Sequence, residues 1–130
     1  MNKVLIIDDE PIIVMLIKTL LESKGYAVVS AHTGEDGIRM SEYEKPDLII
    51  LDYQLPDFNG AEVFSMLKSN PDTHEIPVVF FTANIYEEDV GQLRVMGCKI
   101  FQKPLNTREF IKEIQTLVPL NKQSQIPELA

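Results

Sequence analysis

The sequence predicts a single α/β domain built on a doubly wound, five-stranded parallel sheet with strand order 2-1-3-4-5. Three observations carry that prediction. Short apolar blocks alternate with amphipathic stretches along the chain, the blocks differ in how cleanly apolar they are, and several of the amphipathic stretches open on a capping side chain. Val4–Ile7, Leu48–Leu51 and Val78–Phe81 are unbroken, too short for helices and bounded by Asp or Pro, so they read as strands buried on both faces. Tyr26–Ala31 and Cys98–Phe101 carry Ser30 and Lys99 within the run and suit the sheet edges.

The helices follow from their ends. The first starts at Glu10-Pro11, where a proline is harmless because the early N–H groups have no intrahelical partner, and runs to Lys24, with Gly25 ending it. Thr33 with Asp36, Asn59 with Glu62 and Asn106 with Glu109 each place a capping side chain three residues before an acid that can reach back. Helices are therefore expected at 34–43, 60–69, 86–95 and 106–118. Right-handed crossovers turn this alternation into the doubly wound sheet, with the weaker second and fifth strands at its edges. Residues 1–118 form the domain, and 119–130, polar and proline-containing, read as a tail or linker.

Composition narrows the function. The 130 residues carry 12 Lys and Arg against 20 Asp and Glu, a net charge of −8, with no basic run to follow a phosphate backbone, so direct nucleic-acid binding is not expected. The longest apolar run, Ile12 to Ile17, falls far short of a bilayer span, and Asp8 and Asp9 come too early for a signal peptide. A cytoplasmic protein without membrane contact is expected. The lone Cys98 has neither a disulfide partner nor a second thiolate for zinc.

In a doubly wound sheet the ligand crevice lies at the carboxyl ends of the strands, where successive connections diverge to opposite faces. Strand one ends in Asp8-Asp9-Glu10 and strand three in Asp52. Such carboxylates repel one another unless something neutralises them, and a hard, partly hydrated cation such as Mg²⁺, sharing its sphere with a phosphoryl group, is the natural partner. Thr82 at the end of strand four and Lys103 after strand five are the group types that hold phosphoryl oxygens. Taken singly, each has a plainer reading: solvated acids at a helix start, a turn aspartate, a strand-end hydroxyl, a surface lysine. Their joint placement at four strand ends is what points to a site. No Walker loop and no Gly-x-Gly-x-x-Gly offers a nucleotide cradle.

VLIIDDEP at the start, LIILDYQLPDFNG in the middle, VVFFTA and QKP near the end resemble the receiver domain of bacterial two-component response regulators over about residues 3–118. That resemblance implies a flavodoxin-like (βα)₅ fold and a signalling domain in which Asp52 takes a phosphoryl group from a phosphohistidine of a sensor histidine kinase or phosphotransfer protein. It implies that Asp9, Asp52 and the backbone carbonyl of Gln54 bind Mg²⁺ directly and Asp8 through water. Lys103 would pair with the phosphoryl oxygens, Thr82 would hydrogen-bond one of them, and Lys103-Pro104 would be a cis peptide. Ala83 is small and leaves the site open, while Gln54 and Asn84 occupy the positions that tune hydrolysis and are not acidic. The output would be altered partner binding, or a homodimer through the face made by the fifth strand and the helices expected at 86–95 and 106–118.

One departure stands out. Between Gly97 and Lys103 the chain is one residue shorter than the family pattern, and the place three before the lysine is Ile100 rather than an aromatic. Either Phe101 is re-aimed into the switch position or it is a core residue; strand alternation, which gives neighbours opposite faces, favours the second. Two other functions compete with the phosphoacceptor. A phosphohydrolase of the haloacid dehalogenase kind needs Asp-x-Asp, and Gln54 stands where its second acid belongs, so self-catalysed transfer and hydrolysis, not turnover of a substrate, is expected. A phosphorylation-independent, receiver-like adaptor would tend to lack one of the acidic or lysine positions, and all are present.

Overall fold

A computed structural model describes residues 2–83, 91, 93–94, 98–103 and 106–120. Its elements in chain order are β1 (Lys3–Ile7), α1 (Pro11–Ser23), β2 (Ala27–Ala31), α2 (Gly34–Glu44), β3 (Leu48–Asp52), α3 (Gly60–Ser69), β4 (Val78–Thr82), β5 (Lys99–Gln102) and α4 (Thr107–Leu117). The strands form one parallel sheet in the order β2-β1-β3-β4-β5, as the sequence predicts. Of the helix expected at 86–95, Gly91, Leu93 and Arg94 are helical and the rest lies outside the described residues. The same holds for Asn84, for Pro104 and so the expected cis peptide, and for all of the tail beyond Leu120.

Strand alternation divides the interior in two. Val4, Ile6, Ile50, Val79 and Phe81 face α1 and α4, packing against Ile17, Leu21, Phe110 and Ile114. Leu5, Ile7, Ile49, Leu51 and Phe80 face the other way, onto Val63 and Leu67 of α3. Every residue of β3 and β4 is buried, whereas β5 exposes both its ends and β2 is buried at only two positions, which is the edge character their composition suggested. Completely burying side chains of this size contributes roughly 1.5–3 kcal/mol each, so β1, β3 and β4 anchor the fold.

The helix starts differ in detail from the expectation. At α3 the capping box is complete: Asn59 accepts from Glu62 N–H at 2.8 Å and the Glu62 carboxylate accepts from Asn59 N–H at 3.0 Å. At α2 and α4 only the first half forms, with Thr33 accepting from Asp36 N–H at 3.0 Å and Asn106 from Glu109 N–H at 3.2 Å. Asp36 is one methylene shorter than Glu62 and lies 3.5 Å from Arg39 instead of reaching back. α1 begins on Pro11 as expected and ends before Gly25, whose φ is +102°.

Candidate functional site

Parallel strands put all their carboxyl ends on one edge of the sheet, and there Asp8, Asp52, Thr82 and Lys103 arrive from four different strands. Asp8 follows β1 and is tied into the sheet by its N–H, which donates to the Ala31 carbonyl at 3.0 Å. Its Oδ1 accepts from Glu10 N–H at 2.9 Å as the chain turns into α1. Asp52 is the last residue of β3, paired with Phe81 of β4, and its Oδ1 accepts from Gln54 N–H at 3.1 Å. Both acids are nearly inaccessible, at 2 % and 4 % exposure.

Lys103 connects them. Its N–H donates to the Thr82 carbonyl at 2.8 Å, extending the β4–β5 ladder by one step. The side chain runs inward past the Phe81 ring, with Nζ 5.3 Å from the ring centre. Nζ then lies 3.2 Å from Asp8 Oδ2 and 3.3 Å from Asp52 Oδ2, and it also donates to the carboxylate of Glu10. A lysine read singly as a surface residue is thus 9 % exposed in its side chain and held by three carboxylates.

The charges do not balance. One ammonium faces three carboxylates, and burial costs each ion its hydration. Burial, reinforced by the charge of Asp8, pushes the Asp52 carboxyl up to about 7, against the opposing pull of Gln54 N–H and Lys103. Burial raises Asp8 as well, although the Glu10 N–H and Lys103 both oppose it. For Lys103, burial acts to lower the pKa, but the hydrogen bond to Glu10 and the charges of Asp52 and Asp8 outweigh it and hold the ammonium above its usual value.

One oxygen each from Asp8, Glu10 and Asp52 lies within 4.8 Å of the others, a spacing that could hold a metal ion. An oxygen-only donor set beside open space suits a small hard cation that keeps some of its water. The open space is a cleft of about 320 Å³ walled by Asp9, Glu10, Asp52, Gln54, Ala83 and Lys103. Asp9 is exposed on its wall, and Ala83 leaves the approach to Asp52 unobstructed by a large side chain. Thr82 is buried at the end of β4, on the side of the sheet that strand alternation shares with Phe80.

Most of the residues singled out in the sequence therefore meet in one cleft. Asp8, Asp52 and Lys103 touch, Asp9 and Gln54 line the cleft, and Thr82 supplies the carbonyl that places Lys103. Glu10 is the addition. The sequence groups it with Asp8 and Asp9 at the end of strand one but gives it no role; its contact with Lys103, 93 residues away, has no local signature. Ile100 and Phe101 separate as alternation requires: Ile100 packs against the core on the α3 side of the sheet, while Phe101 packs into the opposite core with its ring edge-on to Phe110 at 5.2 Å. Phe101 is a core residue in this structure.

Residues 4–115 match the response regulator receiver domain family. The polar-differentiation response regulator DivK of Brucella anthropi is 32 % identical over 116 residues, spanning 88 % of this chain and 94 % of DivK. The chemotaxis response regulator CheY4 of Vibrio cholerae superposes with a TM-score of 0.81 at 24 % identity, over 91 % of this chain and 99 % of that one. The receiver domain of a Pseudomonas aeruginosa sensor histidine kinase, solved with a magnesium ion coordinated in its active-site cleft, gives a TM-score of 0.82 at 23 % identity, over 92 % and 98 % of the two chains.

Proposed function

Because this chain belongs to the response regulator receiver family, we propose that Asp52 is a phosphoacceptor that takes a phosphoryl group from a phosphohistidine of a sensor histidine kinase or phosphotransfer protein, and that the transfer switches partner binding or dimerisation. The observation that supports this most directly is Lys103 Nζ lying within 3.3 Å of two buried carboxylates that different strands bring to the floor of an open cleft.

In the transfer, a carboxylate oxygen of Asp52 attacks phosphorus, the new O–P bond forms as the P–N bond to the donor imidazole breaks, and the imidazole leaves with the electron pair. Little acid–base work is required; an in-line displacement of this kind depends on position and charge compensation. Gln54 N–H fixes one oxygen of Asp52, and Lys103 favours the ionised carboxylate against the effect of burial while remaining close enough to meet incoming phosphoryl oxygens. Thr82, at the end of β4 on the same edge of the sheet, would donate its hydroxyl to one of them. Asp8, Asp9, Asp52 and the Gln54 carbonyl would hold Mg²⁺, whose chemistry is to neutralise the carboxylates and the transferring group together. Gln54 leaves the cleft without the second acid of an Asp-x-Asp phosphatase. On this reading the chain catalyses only its own phosphorylation and dephosphorylation.

The test is the intact mass of the protein after incubation with a small-molecule phosphodonor, with and without Mg²⁺, for wild type and Asp52→Asn. The expected result is a Mg²⁺-dependent gain of one phosphoryl group that the variant does not show. No gain by the wild type would overturn the proposal in favour of an adaptor that works without phosphorylation.

A further inference from the structure

The loop between β3 and α3 is a closed hairpin. Its base is locked by Gly60 N–H donating to the Tyr53 carbonyl at 2.5 Å and by an antiparallel bridge between Gln54 and Asn59. At its tip, Asp57 reaches across to a helix that begins 23 residues earlier in the chain. Asp57 Oδ1 accepts from Gly34 N–H at 2.8 Å, and Oδ2 accepts from Glu35 N–H at 2.9 Å. Oδ1 also accepts from the neighbouring Phe58 N–H at 3.0 Å.

These bonds complete the start of α2. A helix leaves its first N–H groups without intrahelical partners. Here Thr33 serves Asp36 and Gly37, and the two amides before them are served by Asp57. The fit is close: a Cβ on Gly34 would lie 2.8 Å from Val63 and 2.9 Å from Phe58, so α2 sits against the loop and α3 with no space for a side chain. The loop tip is thereby fixed to a rigid element at one end and to β3 at the other.

Between these two anchors lies Gln54, whose N–H orients Asp52 and whose carbonyl is assigned to the cation. We propose that Asp57 is a positioning residue for the cation site: by clamping the loop tip onto α2 it holds the Gln54 main chain in place against Asp52. The inference rests on the Mg²⁺ site proposed above. Because such coupling is reciprocal, cation binding at the cleft should in turn tighten the first turn of α2.

The test is a Mg²⁺ titration of the ¹⁵N-labelled full chain, followed through the amide signals of Gln54, Gly34 and Glu35, with hydrogen exchange measured at Gly34 and Glu35. Asp57→Ala should raise the Mg²⁺ dissociation constant about tenfold, at the low end of what losing an outer support of a metal ligand costs. Asp57→Asn, which keeps one acceptor oxygen and the volume, should fall between the two; it carries the test if the alanine variant does not fold. Thr33→Ala is the control. It removes the other cap of the same helix without touching the loop, so it should speed exchange in the first turn by about fivefold and leave Mg²⁺ affinity unchanged. In wild type, Mg²⁺ should slow exchange at Gly34 and Glu35, and Asp57→Ala should abolish that response. Equal affinity for wild type and the Asp57 variants, or an equal loss in Thr33→Ala, would overturn the inference while leaving the Mg²⁺ site standing. A wild type that does not respond to Mg²⁺ would remove both.

Discussion

β3 and β5 each deliver a residue that the cleft depends on, and they hold it by different means. β3 lies between β1 and β4, all five of its residues are buried, and it is paired on both sides as far as Leu51, with Asp52 itself paired to Phe81 of β4. β5 has one neighbour, two exposed ends and two half-buried residues, and it hands over to Lys103 through a single ladder bond to Thr82. What holds the Lys103 head is the Phe81 ring and three carboxylates. Asp52 is fixed by the sheet, whereas the Lys103 ammonium is fixed by its charge partners. A cleft built this way keeps Asp52 in place through the sheet and lets the Lys103 ammonium answer to its electrostatic state.

The largest effect that bears on this contrast is in the strands themselves. Ile50→Ala in β3 is expected to cost about 4 kcal/mol and Ile100→Ala in β5 about 1–2 kcal/mol, because only the first empties a fully enclosed position. Chemical denaturation reads both, and equal losses would break the distinction between central and edge strand. Next is Lys103→Met, expected to cost about 3 kcal/mol at neutral pH without divalent cations, since it strands Asp8 and Asp52 as buried charges with no counter-ion. The loss should shrink as pH falls below about 7, where Asp52 takes up a proton and needs no partner. A cost independent of pH would mean that Lys103 acts through packing.

The smallest of the three expected effects has the opposite sign. The carboxyl of Asp52 is raised from about 3.8 to about 7 on folding, so between those values the native state binds a proton that the unfolded chain has released. Its contribution to stability is therefore present below about 3.8 and is lost as pH rises towards 7. Asp52→Asn should abolish that slope, and without Mg²⁺ at neutral pH it should be more stable than wild type by on the order of 1–3 kcal/mol. Thermal melts across this range distinguish the outcomes. A variant less stable than wild type at pH 7 would show that Lys103 fully compensates the charge.

Much of this architecture is legible along the chain because its signals are local. Uninterrupted apolar blocks mark β1, β3 and β4, while Ser30 and Lys99 inside weaker blocks mark the edges. Asn59 with Glu62 announces the start of α3 to the residue. Asp8, Asp52 and Lys103 follow from strand ends once the sheet is known to be parallel. The capping pairs at Thr33 and Asn106 mark their helices but overstate the bonding, since spacing alone does not say whether the acid has another partner. The faces of Ile100 and Phe101 follow from alternation, yet only the packed structure shows the Phe101 ring seated on Phe110.

By itself the sequence determined the strand order, the edges, the helix starts and the set of charged groups at one end of the sheet. Hydrophobic periodicity, caps and connection handedness are properties of short segments, and those segments lie whole in the chain. Tertiary structure decided what those groups do to one another. Glu10 on Lys103, Asp57 on the first turn of α2 and the elevated pKa of Asp52 each depend on distances across separate elements and on the water that burial removes. Coulombic attraction and desolvation act through space, so residues 93 positions apart can share a charge that no local pattern records.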